Sequence, residues 1–162
     1  MAKMNIEATK GKIKDIQGNI ERGQKELQDF EKRKQDNYDA RMNVERSDMA
    51  EEAQKATIDA LAQAREKLLD EGDRLSQKLD GDRTMLEQLA QDVQTVKEAN
   101  DSQLSDLEKK KADLDKMMGI GSIMDKAIGA VNDSQRTMGE LQRDISEAAK
   151  NVANLQSSFS RK

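Results

Sequence analysis

The sequence contains no cysteine, proline, histidine or tryptophan, and its aromatic residues are Phe30, Tyr38 and Phe159 alone. Each absence removes a class of chemistry. Without thiols there is no disulfide framework or thiolate zinc site, and the redox compartment is unreadable. Without imidazole, zinc and iron centres lose their commonest nitrogen ligand, and a serine or threonine nucleophile loses its usual base. Carboxylates alone can hold calcium or magnesium, but no EF-hand-type loop occurs. Gly119-Ile120-Gly121 lacks the further glycine and the preceding strand of a nucleotide-binding loop. The expectation is a protein that is not an enzyme and takes no metal or cofactor.

Long hydrophobic runs are also missing. No window approaches the roughly 18–20 apolar residues of a membrane span. The stretch Met1 to Asn5 has no apolar core of a secretory signal. The expected location is cytoplasmic, although leaderless export would leave no mark in such a sequence. Charge of one sign is nowhere concentrated. The net charge of −4 is spread so evenly that no quarter of the chain carries a basic patch or an acidic tail. The one basic triplet, Lys109-Lys110-Lys111, is surrounded by Asp106, Glu108, Asp113 and Asp115 and reads as a solvated helix face. With so few aromatic platforms and no basic track, nucleic-acid binding is set aside.

What the chain does have is a rhythm. Apolar residues make up only 35% of it and charged residues 37%, too polar for a thick core but sufficient for a narrow seam of two apolar positions in seven. The seam begins Ile6, Thr9, Ile13, Ile16, Ile20, Gly23, Leu27, Phe30, in alternating steps of three and four. It turns polar through Lys34 and Asn37, resumes loosely at Tyr38, Met42 and Met49, and then runs Ile58, Leu61, Leu68, Gly72, Leu75 and Leu79. A third stretch runs Leu86, Leu89, Val93, Val96, Asn100, Leu107, Leu114, Met117. A fourth runs from Met138 through Leu141, Ile145, Ala148, Val152 and Leu155 to Phe159. A buried amide at Asn100 would fix register; alternatively it marks a loose spot beside Asp101 and Ser102. No strand pattern occurs. The rhythm predicts an all-α fold, a single elongated helical domain over residues 1–162 with coiled-coil packing.

The interruptions set its topology. Asp80-Gly81-Asp82, followed by Thr84-x-x-Glu87, joins a helix stop to a capping box and predicts a turn between two halves, about 4–79 and 82–160. Further breaks are expected near residue 46, where Ser47 and Asp48 precede Glu51, and near 120, where Ser122-x-x-Asp125 offers a cap. With all three breaks the molecule is an antiparallel four-helix bundle. With the central one alone it is a long helical hairpin.

Met117 to Val131 is the most apolar window, with Met117, Met118, Ile120, Ile123, Met124, Ile128 and Val131 as its large side chains. Methionine suits adaptable contact surfaces and glycine permits reshaping, which marks the window as a partner- or membrane-contact segment. The structural alternative is a helix–helix corner that closes one end of a bundle. At about 15 residues the window is too short to span a bilayer. Two functions compete. The first is a structural or protein–protein interaction protein that self-associates or serves as scaffold or adaptor in a larger assembly. The second is a membrane-active or exported helical bundle whose segment 117–131 engages lipid or a membrane partner.

Overall fold

The computed structural model describes residues 4–161. Among them the chain is all-α, built from α1 (Ile6–Glu45), α2 (Glu51–Lys78), α3 (Asp80–Met118), a 3₁₀ turn (Gly121–Met124) and α4 (Asp125–Phe159), with no strand. Asn5 starts α1 as the seam demands: its Oδ1 accepts the Ala8 amide at 3.0 Å and satisfies one of the orphan donors of a helix N-terminus.

The breaks expected near 46 and 120 are present. The first is not made as its capping signal suggests. Ser47 closes the end of α1, its hydroxyl donating to the Val44 carbonyl at 2.7 Å, while α2 begins at Ala50 without a side-chain cap. Gln54 reaches back from α2 and donates to the Val44 and Glu45 carbonyls at 2.9 and 3.1 Å, so the last acceptors of α1 are satisfied by its neighbour.

The turn expected at Asp80–Asp82 is absent, and the sequence-based expectation is corrected there. Leu79 alone separates α2 from α3, and its backbone is helical (φ −84°, ψ −7°). Its amide donates to the Ser76 carbonyl at 3.1 Å, and its own carbonyl accepts the Arg83 amide at 3.0 Å. A glycine stop needs the left-handed conformation, and among the described residues Gly119 alone has a positive φ. Gly81 is an ordinary helical residue. Asp80 and Asp82 sit in the first turn of α3, where carboxylates complement the helix dipole. The seam outweighs the local preference for a turn, because Leu79 is a buried core residue. From there α3 runs on to Met118.

The chain packs as two compact units, one of residues up to 15 with 84–149, the other of residues 16–83 with those from 150 on. In the second unit α1 and α2 run antiparallel. Asn19 donates to Asp82 at 3.1–3.2 Å, Arg33 grips Glu71 through two hydrogen bonds of 2.7 and 3.1 Å, and Asn37 donates to the Leu61 carbonyl at 3.0 Å. The end of α4 lies against them, with Gln156 donating to the Ser76 carbonyl at 3.0 Å and to Asp80 at 2.7 Å. Its core is Ile16, Ile20, Phe30, Leu79, Val152, Leu155 and Phe159. Phe30 and Phe159 meet edge-on with centroids 5.5 Å apart. Gly72 makes that meeting possible, since a Cβ there would strike the Phe159 carbonyl and lie 2.6 Å from Phe30 Cζ.

In the first unit α3 and α4 run antiparallel, Asn100 facing Ser134 and Lys97 facing Gln142. The start of α1 lies beside Leu89, Asp92 and Val96 of α3. Ile13, Leu86, Leu89, Val93, Met138, Leu141, Ile145 and Ala148 fill the core. Asn100 is buried, and its amide donates to Ser134 Oγ at 2.8 Å and to Gln135 Oε1 at 3.2 Å. It is therefore a satisfied seam amide and not a loose spot, which is the arrangement that ties one helix to a single register on its neighbour.

Candidate functional site at the α3–α4 corner

The corner between α3 and α4 is built by two glycines with different duties. Gly119 takes φ +67° and its amide donates to the Asp115 carbonyl at 3.1 Å, closing α3 with a left-handed cap. Gly121 has ordinary φ but no room: a Cβ there would collide with Asp115 and lie 2.5 Å from the Lys111 carbonyl. That absence of a side chain lets the corner fold back onto α3. The amide of Gly121 then donates to Asp115 Oδ1 at 2.6 Å. Asp115 thus serves the corner from the preceding helix, in the role that the sequence assigned to Ser122 and Asp125.

Asp125 is engaged elsewhere. It opens α4 and its Oδ1 lies 2.5 Å from Lys111 Nζ, an ion pair across the corner. The hydrogen bond to Asp125 raises the Lys111 pKa above the ordinary lysine value, and the charge of Asp125 acts in the same direction. Lys111 and Asp115 are the corner residues that sequence reasoning missed. Lys111 is hidden in the lysine triplet, and its partner lies on the far side of a reversal. The αL glycine four residues after Asp115 is the one local hint of the clamp.

The clamp displays apolar side chains. Met117 is 78% exposed, Met118 67%, Ile123 59% and Ile120 39%. Of the seven candidates these four share the apex of the α3–α4 pair. Met124 and Ile128 are half-buried as α4 begins, and Val131 is a core residue at 6% exposure. The first half of the segment is thus exposed at the corner, and its last residue is part of the packing.

The corner between α1 and α2 has no such surface. It carries Arg46, Asp48, Glu51 and Glu52, with Met49 as its only large apolar exposed residue. A helix corner in this chain therefore does not need to be apolar. No helix among the described residues is long and apolar enough to cross a membrane. Among the same residues no group of three or more carboxylates converges as a metal cage.

No family model, no curated protein and no solved structure matches this chain.

Proposed function

We propose that this is a non-enzymatic structural protein, a cytoplasmic scaffold or adaptor that self-associates through coiled-coil packing of antiparallel helices. The observation that carries the reading is a seam left half covered. In the second unit the heptad rhythm continues along α1 and α2 past Phe30, yet Met42, Ile58, Leu61 and Leu68 are only half-buried and Tyr38 is exposed. In the first unit Leu104, Leu107, Leu114 and Ile128 are half-buried in the same way. Where a third helical segment packs alongside, the equivalent positions fall to a few per cent exposure. Helices that stop two to a seam leave apolar positions for another helix, and a second copy of the chain carries the same spacing.

Light scattering on a sizing column tests this directly. The expected mass exceeds the 18.2 kDa of one chain and rises with concentration. Tyr38→Glu, at an exposed seam-flanking position, and Leu107→Gln lower it towards one chain while helicity by circular dichroism is kept. A single-chain mass at every concentration overturns the reading.

A further inference from the structure

We propose that the apex of the α3–α4 pair is a docking surface for an anionic lipid bilayer, into which Met117, Met118, Ile120 and Ile123 insert shallowly while lysines around them meet the headgroups. The half-covered seams address self-association and play no part in this inference, so the two stand or fall separately.

Three observations converge on a lipid surface. The first is display: four large apolar side chains are exposed together at a helix corner, where chains normally place polar residues. The other helix corner of the same chain does place polar residues there. The second is fixation. Gly119, Gly121, Asp115 and the Lys111–Asp125 pair hold the apex in one shape, so little conformational entropy remains to be lost when the side chains leave water. The third is charge. Between residues 109 and 126 five lysines stand against three aspartates; Lys111 and Asp125 pair with each other, Asp115 accepts from the Gly121 amide, and Asp106 and Glu108 balance the lysine triplet from the side away from the apex. Lys116 and Lys126 flank the apolar group, are exposed, and have no ion pair among the described residues.

Size argues for lipid over a second copy. Four side chains of on the order of 100 Å² each offer roughly 400 Å², about two-thirds or less of the roughly 600–1,000 Å² that each partner of a specific protein interface buries. A bilayer asks for no matching surface. It gains from apolar side chains placed some 5–10 Å deep and from cations near its negative headgroups, and this apex supplies both.

Flotation of the full chain with vesicles decides it, using phosphatidylcholine alone and an equimolar mixture with phosphatidylserine at low salt. The chain is expected to float with the anionic vesicles. Paired Ile120→Asp and Ile123→Asp should cut the bound fraction about tenfold or more, and Lys116→Ala or Lys126→Ala about fivefold each. All four positions are exposed, so far-UV circular dichroism should be unchanged. Ile123→Trp gives a second, folding-independent readout, because the chain has no other tryptophan. Its emission should move to the blue when anionic vesicles are added. Absence of flotation with both vesicle types overturns the proposal, as does flotation that the aspartate variants leave intact. A blue shift that follows protein concentration without vesicles also overturns it, in favour of a second copy at the apex.

Discussion

At the scale of single residues, the tight positions are those where a backbone needs the space of a missing side chain. Gly121 and Gly72 are both glycine for lack of room and not for an unusual φ. Alanine at Gly121 must push against the Lys111 carbonyl and Asp115, and alanine at Gly72 against the Phe159 carbonyl and the Phe30 ring. Backbone cannot swing aside as a side-chain tip can, so each variant should lose about 1–3 kcal/mol, read as a lower urea midpoint. Gly23→Ala is a useful contrast. Its new Cβ meets only the Leu155 side chain, with Cδ1 nearest at 3.0 Å, which a small side-chain adjustment relieves. Gly72 fell on the seam in the sequence, but that it admits an aromatic pair was not legible. Phe30 and Phe159 are far apart in the chain, and only the packed helices bring them together.

At the scale of elements, periodicity told most of the story and glycine told part of it wrongly. The three- and four-residue steps located the helices because a buried stripe is needed wherever helices pack: α4 buries every marked position from Met138 to Phe159, α1 most of those up to Phe30, and α3 those at Leu86, Leu89, Val93 and Asn100. The breaks near 46 and 120 were legible too. Asp80-Gly81-Asp82 was misread because two acids and a glycine suit either a turn or the first turn of a helix. The choice was made by Leu79, a seam residue whose burial rewards a continuous helical path. Gly81→Ala tests this point. In a left-handed turn the change would destabilise. In the helical setting described here, with nothing within 4 Å of the added Cβ, it should raise stability by about 0.5–1 kcal/mol. A lower urea midpoint for Gly81→Ala would contradict the helical assignment. The corner clamp escaped the sequence for a related reason. Lys111 and Asp125 lie 14 residues apart, a separation at which no helical spacing rule pairs them.

At the scale of the whole molecule, the missing residue types shape the response to pH. No histidine or cysteine is present, so no side chain ordinarily titrates between about pH 5.5 and 7.5. The urea midpoint should be flat across that range. Below it, carboxylates take over. Arg33 donates to Glu71 and holds its pKa below the usual carboxylate range, against a smaller opposing effect of burial. A carboxylate with a depressed folded pKa contributes stability at pH values above its unfolded pKa, and loses it as pH falls through the folded one. Both partners are about 40% exposed, so water screens the pair and its worth is roughly 0.2–1 kcal/mol. Arg33 also approaches Asp29, its Nε 3.0 Å from Oδ2 but without hydrogen-bond geometry. Glu71→Gln should therefore lower the midpoint at neutral pH and leave it equal to that of the parent chain in strong acid. A difference that persists in acid would show that the pair acts by packing and not by charge.

The apex described above also sorts the methionines by their access to oxidants. Met117 and Met118 stand at 78% and 67% exposure while Met138 is fully enclosed. Peroxide converts accessible thioethers to sulfoxides, which are polar and chiral where the parent side chain was apolar and flexible. Oxidation would therefore rewrite the surface chemistry of the α3–α4 apex and spare the interior, turning a greasy tip into a wet one without unfolding anything beneath it.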